Sequence, residues 1–391
     1  MISVSEALDL IKAHTAKLPA VGMALRDSYG CFLAEDLVAP ISLPPFRQSA
    51  MDGYAFRSGG ELDLEVIGEC KAGDNKVFEL AANQAVRIFT GAPVPDSADT
   101  VIMQEHVQAG NGRITIQTIP EKGANVREIG EQIQAGEHVL SAGTKINDSI
   151  IGFLASFGIT EVLVFNKPKI TLIVTGNELQ EPGTPLKPGA IYESNAIMLE
   201  SALKSRGYGS VRILKVQDDL ESTIRVVAQG LESDMLLISG GISVGDYDFV
   251  NEALQANHVR EIFYKVNQKP GKPIWFGKKE EKLVFALPGN PASSLTCFLI
   301  YVLSALKIMT GNPDFDLDFQ TGVLKHRTFN KFGKTLFILG SEVNGELEIY
   351  PKQASSMLIS YALGNALVLV PADKQILEAG EKVLFLPINR N

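Results

Sequence analysis

ITLIVTGNEL (170–179) decides the fold, because a short apolar run there passes straight into a glycine-bearing loop. The same rhythm returns at VRILKV (211–216), MLLIS (235–239) and LVFAL (283–287), with helix-length segments between the runs. Strands alternating with helical stretches predict an α/β domain built on a parallel sheet with crossover helices. Three of the runs lead into small-residue loops: TGNEL at 175–179, SGGISVGD at 239–246 and LPGNPASS at 287–294. In a parallel sheet these strand ends share one edge, so the loops should meet at a crevice faced by backbone N–H groups and helix N-termini.

Outward from that core the pattern changes on both sides. Ser3 and Glu6 have capping-box spacing ahead of Val4, Ala7, Leu8 and Ile11, which predicts an amphipathic opening helix. From about 40 to 165 short β-like runs (LEVIG, AVRIFTG, TVIMQ, RITIQTI) are split by Gly and Pro, and Asn111-Gly112 is placed as a type I′ hairpin turn. After Gly311-Asn312-Pro313, TLFILGSEV and ELEIY flank Asn344-Gly345 as a second hairpin. The expected layout is a helix at 1–20, a mainly β N-terminal region at 21–167 carrying an inserted domain at about 41–136, the α/β domain at 168–310, and a small C-terminal β domain at 311–391.

With 391 residues, 45% hydrophobic and 21% charged, the chain has the composition of a multidomain globular protein. Apolar runs such as Leu283–Leu287 and Ala366–Val370 fall well short of the roughly 20 residues of a membrane span, and no signal-like segment opens the chain. Neither CxxC nor CxxH spacing connects Cys31, Cys70 and Cys297, so a reducing cytoplasm and no structural zinc are expected. A net charge of −9 without a dense Lys/Arg run argues against nucleic acid as a partner. An anionic substrate would have to be held by local chemistry.

That chemistry is concentrated near the sheet edge. KPGKP (269–273) sets Lys269 and Lys272 on a segment stiffened by Pro270 and Pro273, with Lys265 four residues upstream. Such ammonium groups are partly pre-organised for an oxyanion, although a lone lysine pair on a turn is more often merely solvated. Glu178, Asp218, Asp219, Asp246 and Asp248 fall at the same edge, where hard oxygen ligands beside a phosphate site suit Mg²⁺. Asp218, three residues before Glu221, could equally cap a helix. No loop fits the Walker or dinucleotide pattern, and no Ser-His-Asp or Cys-His set stands out. SAMDGYA (49–55) and FTGAPVP (89–95) bring Asp52 and Thr90 in loops that by themselves read as turns.

Seven ordered motifs, PPFRQSAMDGYA (44–55), FTGAPVP, NVREIGEQI (125–133), VTGNEL, SGGISVGDYDF (239–249), KPGKP and LPGNPASS, closely resemble those of the molybdopterin molybdenumtransferases over nearly the whole chain. The resemblance implies insertion of molybdenum from molybdate into adenylyl-molybdopterin, with Mg²⁺ or a similar divalent cation as cofactor. It implies a homodimer, with Asp52 and Thr90 completing a site whose other parts come from the second chain. It also implies transient contact with the adenylyltransferase and with apo-molybdoenzymes. Carried onto matching positions, Glu178, Asp218, Asp246 and Asp248 resemble the acidic, metal-associated group, and Lys265, Lys269 and Lys272 with Pro273 the basic group. Ser239, Gly240, Gly241, Ser243, Gly289, Asn290, Pro291 and Ser293 fall where pterin and phosphate are expected, and Ser355 on the molybdate side. Lys334 stands where the family pattern has an arginine, which keeps the charge and loses the planar fork. Two related functions stay open at this point: a molybdopterin adenylyltransferase, which the flanking β segments argue against, and a non-catalytic gephyrin-like scaffold.

Overall fold

The computed structural model describes residues 1–242, 249–351 and 353–388. Its central element is a six-stranded sheet of β1 (Ile170–Thr175), β2 (Val211–Val216), β3 (Met235–Ser239), β4 (Arg260–Tyr264), β5 (Trp275–Lys279) and β6 (Lys282–Leu287), in the order β2-β1-β3-β6-β5-β4. The four strands expected from the apolar runs pair in parallel. Strands β4 and β5 extend the sheet antiparallel, an addition the sequence patterning did not supply.

Alternation along the strands explains why both faces are apolar. Leu172, Val174, Leu237 and Phe285 point into one core with α2 (Asn195–Lys204) and α5 (Pro291–Met309). Ile173, Leu236, Ile238 and Val284 point into the other, against α3 (Leu220–Gly230) and α4 (Val250–Ala256). By length and composition α5 could cross a membrane, but 78% of its apolar window is buried within the protein, so it serves as a core helix. Its Cys297–Leu303 stretch is a longer apolar run than those weighed from the sequence.

The opening helix α1 (Val4–His14) has the expected capping box: Ser3 Oγ accepts from the Glu6 N–H, and Glu6 accepts from the Ser3 N–H. Ala7 and Ile11 are fully buried in the same core as α5. At the C-terminal end, strands Gln320–Leu324, Thr335–Val343, Glu346–Ile349, Ala366–Val370 and Lys382–Pro387 pair in a closed ring, a five-stranded barrel. Asn344 and Gly345 both have positive φ, 52° and 86°, as a type I′ turn requires. The Gln268–Lys269 segment adds in parallel to Thr335–Leu336 at the barrel, so the KPGKP loop is tied to it by main-chain pairing.

Residues 35–142 and 148–160 form a compact unit of their own. Its six-stranded sheet runs Thr100–Met103, Gly53–Phe56, Gln84–Ile88, Asp63–Cys70, Arg113–Ile116, Val107–Gly110. Asn111 and Gly112, at φ 49° and 74°, make the expected hairpin turn.

Because Ile11 lies in the central core, Ile11→Ala should lower the stability of that core by about 2–5 kcal/mol. A urea midpoint equal to the parent's, followed by a probe of the central sheet, would show that α1 is a dispensable appendage.

Candidate active site

Parallel pairing makes the strand ends level, and a crevice of about 580 Å³ opens there, lined by Gly176, Glu178, Asp218, Ser239, Gly240, Gly241, Gly289, Asn290 and Pro291. The β3 loop can turn so tightly only with glycine. Gly240 and Gly241 have φ of +100° and +62°, and a Cβ on either would lie within 3.0 Å of atoms of Thr175.

Polar contacts across the crevice fix the loops. The Asn195 side-chain amide, at the start of α2, donates to Ser239 Oγ at 2.9 Å and to the Gly289 carbonyl at 2.8 Å, so one side chain clasps two strand-end loops. Asp218 Oδ2 accepts from the Asn177 N–H at 3.1 Å, and Asn177 Oδ1 accepts from the Asp218 N–H at 3.2 Å. The helix cap is Asp219, whose carboxylate accepts from the Ser222 N–H at 2.8 Å; the capping alternative for Asp218 therefore falls. Glu193 is a further carboxylate on the lining, 3% exposed, and accepts from the Ala196 N–H.

A second cavity of about 580 Å³ lies beside the first and shares Pro273, Pro288 and Asn290 with it. Lys269, Lys272, Lys334, Ser293 and Ser355 line it. Asn290 Nδ2 donates to Ser355 Oγ at 2.9 Å, and the Ser293 N–H donates to the Ser355 carbonyl at 3.2 Å. Lys269 Nζ sits 3.4 Å from the centroid of the Phe332 ring. Beneath the loop, fully buried Gln268 donates to the Pro270 and Gly271 carbonyls at 3.0 and 3.4 Å and accepts from the Tyr301 hydroxyl on α5. Lys265 lines neither cavity; its ammonium lies 4.3 Å from the Tyr264 ring centroid.

Ser243, Asp246 and Asp248 lie outside the described residues. Among the described residues no group of three or more His, Cys, Asp and Glu side chains is arranged to hold a metal ion. Glu178 and Asp218 on one wall nevertheless fit the habit of Mg²⁺, which takes one or two carboxylates and completes its shell with phosphate oxygens and water.

In the separate N-terminal unit, Asp52 and Thr90 are direct partners. The Thr90 N–H and its hydroxyl both donate to Asp52 Oδ1 at 2.8 Å. These bonds, the backbone one first, hold the Asp52 carboxyl below the ordinary carboxylate range. Sequence reasoning placed both residues but not their contact. It missed Asn195, Glu193 and Gln268, whose roles arise only from tertiary neighbours; the one local signal was Asn195 standing at the start of a helix, just after Ser194.

Two adjoining cavities, one glycine-rich at the carboxyl edge of a parallel sheet and one bearing lysines beside it, define an α/β protein with a crevice of the kind that receives phosphate-bearing ligands. The family models resolve the class: residues 2–158 match the MoeA N-terminal region (domain I and II), 171–308 the probable molybdopterin binding domain, and 321–388 the MoeA C-terminal region (domain IV). The chain belongs to the MoeA family, that of the molybdopterin molybdenumtransferases. It is 34% identical to the molybdopterin molybdenumtransferase of Staphylococcus epidermidis over 98% of this chain and 94% of that one. To the Haemophilus influenzae enzyme of that name it is 33% identical over 93% of each chain. The crystal structure of the molybdopterin biosynthesis MoeA protein of Pyrococcus horikoshii matches with a TM-score of 0.87 and 28% identity, covering 99% of both chains.

Two Thr90 donors act on Asp52, so Thr90→Val should raise the Asp52 pKa only part of the way towards about 3.9, since the backbone N–H remains. Carboxyl ¹³C titration by NMR reads this directly; an unmoved Asp52 would mean that the hydroxyl contributes nothing.

Proposed function

We propose that this chain transfers molybdenum from molybdate to the dithiolene sulfurs of adenylyl-molybdopterin; the displaced molybdate oxygens leave as water with the thiol protons and protons from solvent, and hydrolysis of the phosphoanhydride releases AMP. The observation that carries the reading is the common wall of the two cavities. Pro273, Pro288 and Asn290 border both the glycine-rich crevice and the lysine-bearing cavity, so a phosphoanhydride and an oxyanion can lie side by side.

In this reading the strand-end loops and the α5 N-terminus receive the pterin and its phosphates through backbone N–H groups. Lys269 and Lys272 offset the mutual repulsion of molybdate and phosphate, held in place by the buried Gln268 amide beneath them. Asn290 on the shared wall and Ser355, to which it donates, orient the oxyanion. Glu178 and Asp218, with Asp246 and Asp248, would hold Mg²⁺, which supplies charge neutralisation at the phosphate oxygens. In this reading positioning and fixed electrostatics account for the rate; among the described residues the lining of these cavities carries no cysteine or histidine. A cytoplasmic setting belongs to this reading, as does a homodimer in which the Asp52–Thr90 pair of one chain serves the crevice of its partner. The pterin comes from an adenylyltransferase, and the product passes to apo-molybdoenzymes.

Purified protein mixed with adenylyl-molybdopterin, Mg²⁺ and micromolar molybdate should release AMP and activate an apo-molybdoenzyme. Release of AMP that ignores molybdate, or pterin binding with no release, would overturn the transferase reading in favour of a carrier or scaffold. Asp52→Ala and Glu178→Ala should each fold and release little AMP. Mixed and re-equilibrated, the two variants should recover about a quarter of the parental rate, since half the dimers are then mixed and each holds one intact site of two; no recovery would exclude a site shared between chains. Lys334→Arg should lower the molybdate concentration needed for half-maximal rate by roughly tenfold, by supplying a bidentate fork. A higher requirement would mean that the cavity is shaped to the lysine.

A further inference from the structure

A third crevice, of about 380 Å³, shares no lining residue with the other two. Four cations line it: Lys145, Lys167, Arg206 and Lys307. They come from four separate stretches of chain: the segment before the helix Asp148–Ser156, the turn after the strand Glu161–Phe165, the end of α2, and the last turns of α5. No carboxylate lies on the lining, and none of the four forms a salt bridge among the described residues. Arg206 donates instead to the Ala202 carbonyl at 2.9 Å, and Lys307 to the Asp316 carbonyl at 3.2 Å. Asp314, Asp316 and Asp318 act on Lys307 from a distance, yet loss of hydration still holds both Lys307 and Arg206 below their ordinary pKa values. In a chain of net charge −9, four cations without a bonded counter-charge stand out against the average.

The remaining wall is mixed, with aromatic side chains beside Cys31, Ser205, Leu303, Thr310 and Asn312. Phe32, Phe165 and Tyr208 line the crevice, and Tyr208 is 8% exposed. Tyr208 is thus buried, and Lys17 Nζ lies 4.9 Å from the Phe165 ring centroid, but Phe32 and Phe165 are only half-buried, and a bare inorganic anion would satisfy the cations and leave the apolar side of the crevice beside them unfilled. A volume of about 380 Å³ lies within the range of small-molecule sites, roughly 300–1,000 Å³. We propose that this crevice is a second, separate ligand site that takes a nucleoside phosphate, its phosphate held by Lys145, Lys167, Arg206 and Lys307 and its base laid against the half-buried Phe32 and Phe165. The proposal does not depend on the transferase reading.

Photolabelling of the whole protein with 8-azido-AMP at low salt, followed by peptide mapping, locates the site. Label is expected on peptides spanning 32, 165–167 or 205–208. It should be competed by AMP and weakened about tenfold or more in the double variant Lys167→Glu/Arg206→Glu, with molybdate-dependent AMP release unchanged. Lys145→Glu, an exposed position, should weaken it in the same direction and serves if the double variant shifts the thermal midpoint. Label confined to the sheet-edge loops, or indifferent to these charge reversals, would overturn the proposal. Inorganic phosphate competing as well as AMP would overturn recognition of the base. A protein that shows no transferase activity but labels here would sink the first reading and keep this one.

Discussion

Parallel pairing at one height is the constraint on which the rest of the central domain depends. Val174 is level with Ser239, and Ser239 with Leu287, so three chains leave the sheet together and must turn in the same small volume. Side chains would not fit that space, and glycines fill it. Several N–H groups of these turns are met within the protein, that of Gly240 by the Leu287 carbonyl and that of Asn177 by Asp218. The site is thus a consequence of how the sheet ends. Asn195 closes the arrangement by bonding to two of the loops at once, so their spacing is set by one amide and not by each loop's own preference.

The lysine cavity has a different origin. Its loop is held from below by Gln268 and from the side by main-chain pairing with the barrel strand Thr335–Val343. The outward side chains of that strand, Phe337 and Leu339, join the central core, which makes the barrel a wall of the cavity. A buried amide that is hydrogen-bonded on both its nitrogen and its oxygen is costly to disturb, so the loop that carries the cations is firmly supported. Proline at 270 and 273 adds stiffness that a lysine pair on an ordinary turn would lack.

Much of this was legible in the residues. Four of the six strands announced themselves as apolar runs; α1 did so by its capping box, and the two hairpins by Asn-Gly. In each case a local rule agrees with the tertiary outcome. REIFY and WFGKK were not legible, because the charges at Arg260, Glu261, Lys278 and Lys279 interrupt the alternation that marks a strand. Closure of the C-terminal strands into a barrel leaves no local trace either, since it is a matter of which edges meet. Gln268, Asn195 and Glu193 carry polar side chains that read as surface until the chain folds over them. Lys265 shows the opposite limit: three lysines within eight positions look like one group, but Lys265, at positive φ, has its ammonium over the Tyr264 ring and does not line the cavity that Lys269 and Lys272 line.

The Asp52–Thr90 pair limits what chemistry can be asked of the N-terminal unit. One oxygen of the carboxylate already accepts two hydrogen bonds, and both favour the charged form. A group whose pKa is held below the ordinary range is fully ionised at neutral pH and binds a proton only weakly, so it is a poor general base there. Its depressed pKa also means that the stabilisation from these bonds is fully present above the ordinary carboxylate value and is lost only as the pH falls through the lower, folded-state one. Near neutrality the pair is therefore a fixed negative point with one oxygen occupied and one available. Such a group suits ligation of a cation or the orientation of a donor, and an Asp52 variant that loses activity should do so with an unchanged pH profile, because no proton transfer has been removed.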